Sequence, residues 1–185
     1  HRTMTQLATP EAVQGDFDDA VIDYMGQEHH FRREGDRFVV ELQVDPGSVM
    51  AKRLEESVQA TDHLRLPVTM TTGSHHMQAY WSPTTDGRLL EQVPFVYLLP
   101  EQRWVPRTAT FLQPPSDDPP PDETGRWNGG CIRCHATQGK PREKNSGHMD
   151  THVAEFGIAC ESGHGPAGQH VRAHQIGRPA CGAEG

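Results

Sequence analysis

Aromatic side chains, basic charge and long apolar segments are all scarce in this 185-residue chain. Only 6% of the residues are aromatic and 34% are hydrophobic, and the mean hydropathy is −0.70. No apolar run reaches the roughly 18 residues of a membrane-spanning helix, so we expect no membrane span. The formal net charge is −8. Because no basic stripe interrupts this acidic background, we also expect no nucleic acid partner.

Common catalytic signatures are missing as well. The sequence has no glycine-rich phosphate loop, no G-x-S-x-G turn and no H-E-x-x-H helix. It does have 18 glycines and 15 prolines. Such a polar, turn-rich chain has little apolar area to offset a conformational entropy cost of about 1–2 kcal/mol per residue. An embedded apolar group would supply buried surface that the side chains lack.

The most informative residues form the motif Cys131-Ile132-Arg133-Cys134-His135. C-x-x-C-H is the attachment pattern of c-type haem. Two thiols at this spacing reach the two vinyl groups of one porphyrin and become thioethers, and the adjacent histidine supplies the proximal iron ligand. The motif therefore predicts haem c, held by Cys131, Cys134 and His135. Since thioether attachment normally takes place outside the cytoplasm, we expect a periplasmic or extracellular protein.

A second candidate site lies at Cys160 and His164, which have the spacing of the first cysteine and the histidine of such a motif. Gly163 occupies the place of the second thiol. Two interpretations remain open. A second haem binds here through one thioether from Cys160, with His164 on the iron, or the segment is an empty glycine-rich loop with a free cysteine.

Zinc is the alternative cofactor. Cys131, Cys134, Cys160 and His164 form a Cys3His set whose spacing is acceptable for tetrahedral zinc. A zinc-stabilised binding module would follow from that set. The adjacency of His135 to Cys134 and the total of 12 histidines both favour haem, because irons with two imidazole ligands use more than one histidine each.

Some of these histidines occur in close pairs. We expect His29 and His30 to be exposed beside a hairpin. His148 and His152 are four residues apart and would share one face of a short helix predicted over 148–156.

The chain divides at the proline-rich, acidic segment PPSDDPPPDETG. We predict a β-rich domain over 1–113, a linker over 114–126 and a haem-binding segment over 127–185. Alternating apolar residues predict a hairpin from Phe31 to Val44 with its turn at Gly35-Asp36. They also predict a strand over 63–70, which Pro67 restricts to a sheet edge, and a second hairpin over 77–99. The expected fold class is α+β, with the C-terminal part irregular and built mostly of helix and loop.

Several segments resemble bacterial multihaem c-type cytochromes related to the cytochrome c554 group. The strongest are WNxxCIRCH at 127–135 and EFGIACExxHGP at 155–166, followed by His170-Val171. GDFDDA at 15–20, GSHHMQxYW at 73–81 and RWVPR at 103–107 are weaker matches, and the set spreads over about two-thirds of the chain. In that group the second motif reads C-E-x-C-H-G-P, from which Gly163 departs, and a further C-x-x-C-H lies upstream. The chain would then be a fragment that starts after a missing motif.

The resemblance implies iron with two histidine ligands, the distal imidazole coming from a remote segment. Our candidates, in order, are His76 or His75, then His170, then His1. The resemblance further implies electron transfer, with redox proteins and neighbouring haem subunits as partners. A multihaem oxidoreductase acting on a small nitrogen or sulfur oxyanion is the alternative function. It would require a five-coordinate iron, for which the Cys160/His164 site is the candidate.

Overall fold

The computed structural model describes residues 2–43, 63–84, 88–110, 125–144 and 148–175. Eleven strands occur in this part of the chain. They are β1 (Thr5–Leu7), β2 (Asp18–Tyr24), β3 (Gln27–Glu34), β4 (Arg37–Gln43), β5 (His63–Val68), β6 (Met70–Thr72), β7 (Met77–Pro83), β8 (Leu90–Leu98), β9 (Arg103–Pro106), β10 (Ala136–Thr137) and β11 (Glu155–Phe156).

Helical structure is limited to short segments among the described residues. They are 3-10 turns at Arg2–Met4 and Arg107–Ala109, a π-helical turn at Trp127–Cys131, and the α-helices α1 (Ile132–His135), α2 (Glu161–His164) and α3 (Gly168–Gln175). None of them is long and apolar enough to cross a bilayer.

Two antiparallel sheets share one core. The first has the strand order β1-β6-β7-β8-β9, and the second has the order β2-β3-β4-β5. Each sheet places alternate side chains on its inner face, since successive residues of a strand point to opposite sides. Phe31, Val40 and Leu66 of the second sheet lie in the same buried cluster as Tyr80 and Phe95 of the first. The sheets therefore pack face to face.

Aromatic rings fill the centre of this core. Trp104 stacks on Phe31 with the ring centroids 3.9 Å apart, and Phe17 meets the edge of the same Trp104 ring at 5.3 Å. Gly15 passes so close that a side chain there would collide with the Tyr80 hydroxyl and the Trp104 ring. The few aromatic residues of the sequence are thus concentrated where the two sheets meet.

A C-terminal hairpin, formed by residues 136–144 and 148–157, follows the sheets. β10 pairs with β11, and isolated bridges join Lys140 to His152 and Glu143 to Met149 in the same antiparallel register. A second apolar cluster fixes this part of the chain to the first sheet. It contains Met70 and Trp81 from the sheet and Trp127, Ile132 and Ala136 from the segment that leads into the hairpin.

The structure contradicts the predicted fold class. Strand accounts for 48% and helix for 19% of the structure, and the region after Trp127 is not a helix-and-loop unit. The predicted helix over 148–156 is wrong for a physical reason: its backbone groups bond across the hairpin, as in His152 N to Lys140 O at 3.0 Å. Among the helices of the described residues, α3 alone reaches eight residues.

Other local predictions are confirmed. β3 and β4 form the hairpin with Gly35 and Asp36 between them. β5, which contains Pro67, lies at the edge of its sheet, and β7 pairs with β8. His1, residues 111–124, which include most of the predicted linker over 114–126, and the segment after Gln175 lie outside the described residues.

Candidate functional site

The C-x-x-C-H turn (Cys131–His135) is helical and anchored on one side. The π-helical turn ends at Cys131, which has φ −64° and ψ −31°, and α1 continues to His135. Ile132 is fully buried, whereas Cys134 is exposed. Because residues three apart lie on the same side of a helix, the two thiols share a side of this turn while Ile132 fixes it to the sheet.

Both thiols of the turn are free. Burial raises the pKa of the Cys131 thiol, the neighbouring Cys134 raises it further, and Arg107 opposes the shift. Cys131 is therefore a neutral thiol at pH 7.

The backbone of His135 is held more firmly than its ring. Its carbonyl oxygen accepts hydrogen bonds from Thr5 Oγ1 at 2.6 Å and from Gly157 N at 3.1 Å. Its Nδ1, in contrast, is buried without any hydrogen-bond partner in the described structure. The ring thus performs no hydrogen-bonding role within the fold, and Nε2 is the nitrogen left for a ligand.

Asn128 joins the turn to two other elements. This side chain is 1% exposed. Its Oδ1 accepts from Leu90 N at 2.8 Å, and its Nδ2 donates to Arg88 O at 2.9 Å and to Thr151 Oγ1 at 2.7 Å. In the sequence Asn128 stands out only as part of the resemblance, and its role as a connector is not apparent there because its partners lie 23 to 40 residues away.

The two preferred distal candidates lie on a turn that is connected to the motif. His75 and His76 are exposed in the β6–β7 turn. Ser74 Oγ bonds to Thr3 Oγ1 at 3.0 Å, and Gly73 N donates to Met4 O at 3.0 Å. Thr5, the next residue, bonds to the His135 carbonyl. The first residues of the chain therefore link the histidine turn to the C-x-x-C-H turn.

His75 has the better-defined ring of the two. Its Nδ1 lies 2.9 Å from Ser74 Oγ. A hydrogen bond at one ring nitrogen orients a histidine and presents the other nitrogen to a metal. His76 has no corresponding side-chain hydrogen bond among the described residues.

The second motif repeats the geometry of the first. Cys160 has φ −57° and ψ −32° and precedes the four-residue helix α2, which ends at His164. Cys160 and His164 are both exposed. Thr137 ties this turn to the first hairpin strand, since its Oγ1 accepts from Ala159 N at 2.9 Å and lies 3.0 Å from Ser162 Oγ.

Other predicted sites are not assembled. Cys131, Cys134, Cys160 and His164 are all described, yet no three histidine, cysteine or acidic residues in this part of the chain could hold one metal ion together. The zinc set is therefore not supported.

Two predictions on single histidines have different outcomes. His170, a candidate distal ligand, is exposed in α3, the last helix of the described chain. His29, which we expected to be exposed, is 5% exposed and packs on Phe95 at 4.9 Å.

A cavity of about 480 Å³ opens beside the turn. Its walls are mainly apolar and include Leu7, Met70, Leu90, Trp127, Val153 and Phe156. None of the three motif residues lines it. Gly129 and Gly130, which directly precede Cys131, are exposed, and an added Cβ at either position would meet nothing within 4 Å.

These features fit a covalently held haem. Two free thiols share one side of a short helix, the following imidazole has no competing partner, and a glycine pair leaves open space for a planar group. Comparison with protein-family models, curated proteins and solved structures found no match. The case for a cofactor therefore depends on the motif and its geometry.

Proposed function

We propose that this chain binds haem c through Cys131 and Cys134, with His135 as the proximal ligand, and transfers electrons between redox partner proteins outside the cytoplasm. The observation that carries the proposal is the helical C-x-x-C-H turn with free thiols and an unpartnered imidazole. When bound, the haem supplies one-electron iron chemistry.

Attachment needs no oxidant. Each thiol adds across a vinyl group, so that the sulfur forms a bond to one vinyl carbon and the thiol hydrogen ends on the other. Cys134 is exposed and Cys131 half-buried, which makes Cys134 the more accessible of the two. Ile132 and Trp127 hold the turn in position on the sheet during this step.

We propose His75 as the distal ligand. Its turn is joined to the motif through residues 3–5, and Ser74 orients its ring. With haem bound, two imidazole ligands would favour a low-spin iron, which would suit electron transfer rather than substrate binding. Arg107, whose charge lowers the pKa of the Cys131 thiol, is a candidate partner for a haem propionate because guanidinium and carboxylate match in geometry.

We further propose that Cys160 and His164 hold a second haem through a single thioether. The support is the matching local conformation of the two motifs and their connection through Thr137.

Absorption spectroscopy tests the assignment. The chain is produced in a host that attaches haem c outside the cytoplasm, together with His135→Ala, His75→Ala and His76→Ala. We expect His135→Ala to lose the low-spin signal of the haem at the first turn and His75→Ala to convert that signal to high-spin, while His76→Ala and the exposed control His148→Ala leave it unchanged. A high-spin component that shifts with nitrite would instead favour the oxyanion enzyme, with the open iron at Cys160 and His164. An unchanged spectrum in His135→Ala would refute the ligand assignment.

A further inference from the structure

Helix α3 (Gly168–Gln175) carries two histidines on one face. His170 and His174 are four residues apart, and their ring centroids are separated by 4.6 Å with an interplanar angle of 65°. Residues at this spacing are neighbours on a helix surface. Small side-chain rotations therefore bring one nitrogen of each ring towards a common point.

The same sequence spacing gives a different result elsewhere in the chain. His148 and His152 are also four residues apart, but they lie on one arm of the C-terminal hairpin. Because an extended chain rises about 3.3 Å per residue, the Cα atoms of these two residues lie about 13 Å apart along the arm. The rings of His170 and His174 thus lie together because their segment is helical, and the four-residue spacing in the sequence is not sufficient by itself.

Both rings of the α3 pair are available to a ligand. His170 and His174 are exposed. In the described structure neither ring takes part in a hydrogen bond or an ion pair, and the two rings pack against each other. No third histidine, cysteine or acidic residue among the described positions completes a three-ligand set there. Water would fill the remaining coordination positions.

We propose that His170 and His174 form a chelating site for a divalent first-row transition cation. Imidazole nitrogen is a good ligand for nickel, copper and zinc, whereas magnesium and calcium require oxygen ligands. The site goes beyond the proposed haem function and uses none of the residues assigned to it. It would allow an exposed helix to bind a cation that the protein meets outside the cytoplasm.

Calorimetric titration of the haem-loaded chain with Ni²⁺ tests the site. We expect one cation per α3 pair, weaker binding of Co²⁺ and no binding of Mg²⁺. His170→Gln and His174→Gln should each reduce Ni²⁺ affinity by at least the roughly 10–100-fold that loss of a supporting residue costs a metal site. The double variant should bind Ni²⁺ only slightly more weakly than either single variant, because a single remaining histidine cannot chelate the cation.

Two controls make the result specific. His148→Gln with His152→Gln should leave the affinity unchanged. His174→Gln combined with Gln175→His keeps the number of histidines but moves one off the shared face, and it should fail to restore binding. Ni²⁺ affinity that survives His170→Gln and His174→Gln together would overturn the proposal.

The haem proposal and the metal proposal can be refuted independently of each other. If His170 is a haem ligand, His170→Gln will alter the low-spin spectrum and the wild-type chain will not bind Ni²⁺ at α3, which overturns the chelate alone. A colourless chain that still binds Ni²⁺ through this pair would overturn the haem proposal alone.

Discussion

Replacing Asn128 by alanine should destabilise the site measurably. The substitution removes three hydrogen bonds of 2.7–2.9 Å from a side chain that is 1% exposed. A net loss of about 1 kcal/mol for each of these bonds, with an added penalty of at least about 1 kcal/mol where the Leu90 N–H is left without an acceptor, gives about 3–5 kcal/mol. For a chain of this size the melting temperature should fall by about 6–20 °C.

Urea unfolding followed by tryptophan fluorescence measures this loss. Asn128→Asp keeps the acceptor for Leu90 N but loses both donated bonds, so we expect it to be destabilised as well. Thr151→Ser retains the hydroxyl that accepts from Asn128 and should remain within about 0.5 kcal/mol of the wild type. If Asn128→Ala also remains within that range, the Asn128 network does not hold the C-x-x-C-H turn in place.

Three further predictions concern acid stability and haem attachment. Burial lowers the pKa of His29, so the unfolded chain takes up this proton more readily and stability falls as the pH drops through the unfolded value of about 6.5. His29→Leu should flatten that fall in urea titrations at several pH values, and an unchanged slope would contradict the role of burial. The hydrogen bond from Lys144 and the charge of Arg142 lower the pKa of Asp150. Asp150→Asn should therefore be less stable than the wild type above the carboxyl's unfolded pKa, with the difference vanishing as the pH falls through its folded value; a difference that persists in acid would exclude this cause. Gly163 is exposed with open space around it, so Gly163→Cys should increase the haem that survives acid-acetone extraction, whereas Gly163→Ser should not. Equal retention in both variants would argue against haem at the second turn.

Local patterns were sufficient to predict several strands. Alternation in β4 and the Gly35-Asp36 turn located the β3–β4 hairpin, since both signals lie within a few residues. Pro67 correctly indicated an edge strand. The burial of His29 also had a signal that was overlooked: it lies two residues before the buried Phe31 and therefore on the same face of β3.

The C-terminal hairpin was not predictable in the same way. Its arms are polar, and the four-residue spacing of His148 and His152 indicated a helix. Pairing with residues 136–144 outweighed that local preference through backbone hydrogen bonds. The hydrogen bond from Thr5 to the His135 carbonyl spans 130 residues. Sequence periodicity carries no information on such a contact, although the motif itself was evident from five consecutive residues.

Intact-mass spectrometry, combined with the absorption spectrum, tests the central claim most directly. The chain is matured in a host that attaches haem c and is compared with Cys131→Ala combined with Cys134→Ala. The account predicts a coloured protein whose mass exceeds that of the polypeptide by one haem for each occupied turn, and it predicts that the double variant loses the haem at the first turn. A colourless wild-type chain with the mass of the bare polypeptide would contradict it.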